Sequence, residues 1–315
     1  MYRLSLKAHT YHTPVLLKES LSFLITTKNG CYVDGTLGGG GHAETALEQL
    51  DDSGKLIGID LDDDAIVAAG KRLGHFGDRV IIVKENFRNI KTVLSKLGVD
   101  SVQGVLLDLG VSSYQIDEPA KGFSFQADEQ IDMRMDRKQS VDAKNIINQY
   151  DEQELVDILW NYGEEKHSRR IVKAIVQNRA IQPIESTGQL AFLIERTVGN
   201  RFLNKTLARV FQAIRIEVNN EMENLRQALC DCVDVLSPGG RLVVISYHSL
   251  EDRLVKYAFR AASAQSIPSG NKIIPDTPLQ PVLKVLTRKP ITAIHEEMVA
   301  NPRSRSAKLR AAEKI

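Results

Sequence analysis

The residues with the plainest chemical potential lie in Asp34-Gly35-Thr36-Leu37-Gly38-Gly39-Gly40-Gly41-His42-Ala43. Glycines at this density let a backbone turn tightly and approach a ligand closely. Gly38, Gly40 and Ala43 also fit G-x-G-x-x-G/A, a pattern too short to decide anything by itself. Asp60 follows 20 positions after Gly40, where an acid can accept hydrogen bonds from a ribose. A third acid, Asp108, sits near the end of the apolar run VQGVLLDL at 102–109. Together these residues describe a nucleoside-cofactor site. Asp34 beside the loop would repel a pyrophosphate. The ammonium and sulfonium of S-adenosylmethionine suit carboxylates instead. No G-x-x-x-x-G-K-[ST] is present, which argues against a P-loop nucleotidase. A nicotinamide-dependent oxidoreductase on the same fold is the competing enzyme reading. A non-catalytic RNA-binding protein that keeps a dead cofactor fold is the third.

The elements that must position these residues are visible as short apolar runs. Cys31–Asp34 reads as a strand that ends at the glycine loop, and 56–60, 80–83 and 102–109 read as three more. Helical patterns separate them, as in Ala65, Ile66, Ala69 and Leu73. Strands alternating with helices predict a parallel sheet covered on both faces. From about 112 to 215 no strand is readable. Helices are expected there instead, one starting with Asp151 as N-cap and Glu154 at N3. Others cover 165–180 and 186–198. A longer one carries Leu207, Phe211, Ile214, Val218, Met222, Leu225 and Leu229. The sheet pattern returns at 241–246 (RLVVIS) after a Ser-Pro-Gly-Gly turn, and 282–286 supplies a last strand. The expected architecture is therefore α/β, Rossmann-like, with an all-helical insertion. Its parts are 1–111 and 216–315 for the sheet domain and 112–215 for the insertion. The proline-rich stretch 267–281 is expected as an exposed loop and 301–315 as a short basic tail. Trp160 is expected in a core.

The chain has 315 residues, 43% of them hydrophobic and 26% charged. This composition excludes disorder over most of the length. Three cysteines cannot make a disulfide framework, and no apolar run reaches the length of a membrane span, so the cytoplasm is the expected compartment. The net charge of +1 conceals an asymmetry. Residues 164–215 hold ten Lys/Arg against four Asp/Glu, and 301–315 hold five against one. Such a face suits phosphates. His9 and His12 form an H-x-x-H pair with no other ligand nearby in sequence, which makes a metal site unexpected.

Longer motifs carry a resemblance. HTPVLLKES (12–20), DGTLGGGGH (34–42), LLDLGVSS (106–113), DMRMD (132–136), FQAIRIEVNNE (211–221), ISYHSLEDR (245–253) and NPRSRSAKLR (301–310) resemble the bacterial RsmH (MraW) family. The resemblance runs nearly end to end. It implies an S-adenosylmethionine-dependent methyltransferase that acts on N4 of a cytidine in the decoding region of 16S ribosomal RNA, with the small ribosomal subunit as partner. It also implies cofactor contacts at Gly40, Gly41, His42, Asp60, Phe87, Asp108 and Gln115. Tyr114 departs from the family, in which a proline is common at this place.

Cytosine N4 is a poor nucleophile, so positioning and electrostatics must carry much of the catalysis. Asp108, Ser112 and Ser113 are the candidate acceptors for the amine proton. Methylation at ring carbon C5 would need a cysteine nucleophile. Cys31 begins a strand, and Cys230 and Cys232 lie in a helical pattern, so amine methylation is favoured. Beyond the fifth strand, Tyr247 is a candidate to stack on a base, and His248 and Arg253 to touch base or phosphate. Arg303 and Arg305 are further RNA candidates. Ser249 is expected to cap the following helix, with Asp252 at N3. No heptad seam or apolar patch fixes an oligomeric state.

Overall fold

Runs of Val, Ile and Leu too short for helices build the sheet. The computed structural model describes residues 14–111, 121–271 and 275–315. The chain divides into two units, one ending at Gly110 and resuming at Asn224, the other Val111–Glu223.

In the first unit, β1 (Cys31–Asp34), β2 (Lys55–Asp60), β3 (Val80–Lys84), β4 (Val102–Asp108) and β5 (Leu236–Ser246) are parallel, in the order β3-β2-β1-β4-β5. The chain moves outward from β1 to β3, then crosses to β4 on the other side of β1. That reversal opens a crevice at the carboxyl ends of β1 and β4. Alternate residues of β4 serve opposite faces: Val105 and Leu107 join one buried cluster and Leu106 the other. Helices α1 (Leu17–Leu24), α2 (Gly41–Gln49) and α3 (Asp63–Leu73) supply Leu24, Leu47 and Leu73 to the second cluster. Helix α4 (Ile90–Lys96) supplies Val93 and Leu94 to the first.

The expected basic tail is a strand. β9 (Lys308–Lys314) runs antiparallel to β5, and β8 (Leu283–Val285) runs antiparallel to β9. Leu309, Ala311 and Ala312 are buried, and so is Arg310, whose Nε donates to Asp252 Oδ1 at 2.6 Å. Four charged residues among seven hid this strand from a reading of hydropathy. The expected turn at Ser237-Pro238-Gly239-Gly240 belongs to β5, whose pairing with β4 shifts register between Val102 and Gly104. The stretch expected as a loop contains a two-residue ribbon, β6 (Ser266–Ile267) with β7 (Thr277–Pro278).

The second unit is helical, and its described residues hold no strand beyond the isolated bridge Gln130–Ser186. Its helices are α5 (Ala143–Gln149), α6 (Glu152–Asn161), α7 (Ser168–Arg179), α8 (Thr187–Val198) and α9 (Leu203–Asn219). Asp142, Asp151 and Ser186 each close a capping box, Asp151 with Glu154 as expected. The single long helix expected through Leu229 is two. Asn220 adopts φ 49° and ψ 41°, a left-handed conformation that asparagine tolerates, and α10 (Glu221–Val235) starts after it. Trp160 is 57% exposed, contrary to its expected place in a core. Leu155, Ile158 and Leu159 form the buried stripe of α6, and Trp160 lies one residue, about 100°, beyond it.

Candidate functional site

Each acid singled out in the sequence closes a strand at the same edge of the sheet. Asp34 ends β1, Asp60 ends β2 and Asp108 ends β4. The glycine loop crosses above them. Gly35 N–H donates to Leu106 O at 2.9 Å and Leu37 N–H to Ile59 O at 3.0 Å, so the loop is tied to both neighbouring strands. Thr36 receives a 2.6 Å bond from Asp108 N–H on its hydroxyl oxygen and donates its own N–H to Asp34 Oδ1 at 3.2 Å. Gly40 takes φ 78° as it leads into α2, a conformation that costs glycine little and other residues much.

Asp60 is bonded on both oxygens. Oδ2 accepts from Gly38 N–H at 2.7 Å and Oδ1 from Asp62 N–H at 2.9 Å. Each oxygen keeps a second lone pair, so a diol can still bond there. Burial holds the Asp60 carboxyl above the usual range, against the lowering effect of those N–H donors. Phe87 opens a short turn (Phe87–Asn89) beyond β3 and packs against the sheet cluster. Its Cβ would lie 3.4 Å from a Cβ added at Gly35, which places it against the root of the glycine loop.

Asp34 and Asp108 are the electrostatic centre. Asp34 is 3% exposed and the Asp108 side chain 14% exposed. Burial pushes the Asp34 carboxyl up to about 7, with Thr36 N–H opposing and Asp60 adding to the rise. Burial also pushes Asp108 up to about 7, opposed by the Tyr247 hydroxyl and assisted by Asp34 and Glu251. Among the described residues no Lys or Arg forms an ion pair with either acid. His42 Nδ1 is 3.7 Å from Asp108 Oδ2, an ion pair only when the ring is protonated. His42 Nε2 lies 3.1 Å from Val15 O, which can only accept, so Nε2 carries the ring proton of the neutral form.

Tyr247, at the exit of β5, donates its hydroxyl to Asp108 Oδ1 at 2.8 Å. Its ring lies beside Gly110, where an added Cβ would come within 3.4 Å of Tyr247 Cδ2 and where φ is 93°. The tyrosine thus holds Asp108 from the β5 side, a role that the sequence did not suggest. His248, not Ser249, is the N-cap of α11 (Ser249–Ala262), and Nδ1 accepts from Glu251 N–H at 3.4 Å. N3 is accordingly Glu251, which also accepts from Tyr247 N–H at 2.9 Å. Asp252 pairs with Arg310 and Lys308 instead. Burial raises its carboxyl, but the Arg310 bond and the two cations outweigh that and hold it low.

The structure therefore gathers Gly40, Gly41, His42, Asp60, Phe87, Asp108 and Tyr247 at the carboxyl edge of one sheet. Arg253 is exposed, just past the first turn of α11. Arg303 and Arg305 lie in the short helix Pro302–Ser306, Arg305 exposed and Arg303 half-buried. Ser112, Ser113, Tyr114 and Gln115 lie outside the described residues, as do His9 and His12. Thr36, Glu251 and Gly110 were missed in the sequence. Only Thr36 carried a signal there, as a hydroxyl inside the glycine loop.

A sequence model of the MraW methylase family matches residues 9–315. The chain belongs to this family. It is 49% identical over 306 residues to "Ribosomal RNA small subunit methyltransferase H" of Carboxydothermus hydrogenoformans, covering 96% of this chain and 98% of that one. A relative of the same name from Syntrophus aciditrophicus is 46% identical over 310 residues, covering 98% of each. A crystal structure of a putative rRNA-methylase from Clostridium thermocellum aligns over 95% of both chains, with 15% identity and a TM-score of 0.44. The methylase family accords with a site built of buried acids. Beyond β5 the sheet turns antiparallel, so only one half of it repeats the mononucleotide-binding pattern that a dinucleotide requires twice. Among the described residues no helix is long and apolar enough to cross a membrane.

Proposed function

We propose that the chain transfers a methyl group from S-adenosylmethionine to the exocyclic N4 amine of a cytidine in the decoding region of small-subunit ribosomal RNA. The observation that carries the choice of cofactor is the buried pair Asp34 and Asp108, without a lysine or arginine partner among the described residues. Uncompensated buried carboxylates are costly, and a cationic ligand would offset them. The donor set fits further: Asp60 retains lone pairs for ribose hydroxyls, Phe87 offers an apolar wall for adenine, and the start of α2 at Gly41 and His42 suits a carboxylate. S-adenosylmethionine supplies an electrophilic methyl group open to direct in-line displacement.

The protein's own part is to hold and desolvate the amine. Asp108 accepts a hydrogen bond from N4–H, which pushes the nitrogen lone pair toward the reacting carbon, and Tyr247 fixes the carboxyl that does so. The amine loses a proton once nitrogen becomes cationic, and a carboxyl with an affinity near neutrality can take it. Ser112 and Ser113 are further candidates for this role. A covalent enzyme intermediate is disfavoured by where the thiols sit. Cys31 is at the amino end of β1, opposite the site, and burial raises its thiol. Cys232 is buried on α10 with its thiol raised far up, and Cys230 is exposed on the same helix.

The helical unit serves to recognise the RNA, together with His248, Arg253, Arg303 and Arg305 on the sheet unit. The test is methyl transfer from labelled S-adenosylmethionine to small ribosomal subunits, and to naked RNA, from cells lacking this protein. Digestion to nucleosides is expected to put label in N4-methylcytidine. Label in 5-methylcytidine, or cofactor binding with no transfer, would overturn the assignment.

A further inference from the structure

On the helical unit two phenylalanines stand in solvent with cations against their rings. Phe192, on α8, is 59% exposed, and the Arg196 guanidinium lies 5.7 Å from its ring centroid. Phe202, just ahead of α9, is 61% exposed, with Arg201 at 5.2 Å and Lys205 at 5.7 Å from its centroid. Between 192 and 205 there are three cations and one acid. Among the described residues, the other exposed aromatic of this unit, Trp160, has no cation against its ring and is flanked in sequence by Asp157 and Glu164. Val141 and Ile181 are exposed but not aromatic.

Phe202 also occupies a position at odds with its type. It is the N-cap of α9, where Ser, Thr, Asp or Asn is preferred, and no side chain caps the helix there. Its φ is 65°, in the left-handed region that bulky residues avoid. Asn or Gly would satisfy that backbone at lower cost. A large ring kept at a strained, uncapped, solvent-facing position is a feature that stability does not explain.

We propose that Phe192 and Phe202, with Arg196, Arg201 and Lys205, form a platform on which unpaired nucleotides of the RNA substrate stack. The proposal rests on the RNA-methylating function argued above and adds to it the residues that take hold of the strand. Aromatic faces bind bases of any sequence, and the adjacent cations bind the phosphates that link them. Fully paired RNA buries its base faces and gains only the charge component.

The test uses the full-length protein and a fluorescent single-stranded RNA oligonucleotide of mixed sequence, with a duplex of the same length as control. Binding is read by anisotropy at two salt concentrations. Phe202→Leu, which keeps an apolar side chain, is expected to weaken single-strand binding about tenfold or more, the range for loss of one base–aromatic stack. Phe202→Trp is expected to retain it, and duplex binding is expected to stay unchanged in both. Arg201→Ala is expected to lessen the salt dependence of single-strand binding by about 0.7 in log–log slope. Equal single-strand affinity in wild type and in a Phe192→Leu/Phe202→Leu double variant would overturn the platform, as would no single-strand binding by the wild type. A concentration-dependent dimer that Phe202→Leu dissociates would also overturn it, in favour of a second copy of this chain. None of these outcomes touches methyl transfer to small subunits, whose failure in the wild type would refute the underlying function instead.

Discussion

Cofactor affinity should depend steeply on pH between 6 and 8, and the dependence should belong to two named carboxyls. Asp34 and Asp108 both hold their protons to about pH 7, because burial disfavours the charged form. A cationic ligand stabilises the carboxylates, so binding below pH 7 must expel protons. For one group with an affinity near 7 that ionises fully on binding, affinity falls about tenfold from pH 8 to pH 6. Both groups acting together would give about 100-fold. The groups that face them are Asp60, Glu251, His42 and Tyr247, and the acids among these add to the rise. The assay is titration calorimetry with S-adenosylmethionine at pH 6, 7 and 8. Repeating it in two buffers of different ionisation enthalpy counts the protons released. Asp108→Asn should reduce both the slope and the proton count by about one group. Equal affinity at all three pH values, with no difference between buffers, would refute the account of the site as an acid pair awaiting a cation.

Tyr247→Phe keeps the ring beside Gly110 but removes the donor to Asp108. The acidic limb of the rate profile should move up by about one pH unit, with little change in Tm. Asp34→Asn bears on stability. Asp34 has a raised affinity when folded, so the folded chain binds more protons than the unfolded one between about pH 4 and 7. Stability contributed by this group therefore falls as pH rises through that window and levels off above it. Without cofactor the asparagine variant should gain about 1–3 kcal/mol in urea unfolding at pH 8 and nothing near pH 4, while binding S-adenosylmethionine less well. Cys31→Ala combined with Cys230→Ser should leave methyl transfer intact, and loss of activity with retained cofactor binding would reopen thiol chemistry. Deleting 308–315 should leave the protein insoluble, since it removes the strand between β5 and β8 and exposes two unpaired strand edges.

Strands buried on both faces announce themselves in sequence, and β1, β2 and β4 were readable for that reason, whereas the edge strand β3 was readable from its unbroken Val-Ile-Ile-Val run although none of its residues is buried. The glycine loop and its acids were readable because chemistry constrains residue type at strand ends. What escaped was set by contacts distant in sequence. β9 alternates small apolar residues with charges, and its buried Arg310 makes sense only beside Asp252, 58 positions earlier. Tyr247 reads as a stacking residue until Asp108 is seen 2.8 Å from its hydroxyl. Trp160 missed the buried stripe by one residue, a margin within which periodicity has no resolution. His248 as an N-cap was hidden by Ser249, the more usual capping type next to it.

The net charge of +1 averages two opposite designs. The sheet unit concentrates carboxyls where water is excluded, and the helical unit carries most of its cations on exposed faces. Charge in a dry site responds to protons, because burial brings the carboxyls' affinities near neutrality. Charge in solvent responds to salt, because ions screen it within about 8 Å at physiological strength. Cofactor binding should therefore weaken with acid and change little with salt, and RNA binding should do the reverse. A protein that bound a dinucleotide through its loop would show salt sensitivity in the first measurement. A dead cofactor fold would show the second without the first. The two titrations, made on one preparation, separate all three readings before any product is analysed.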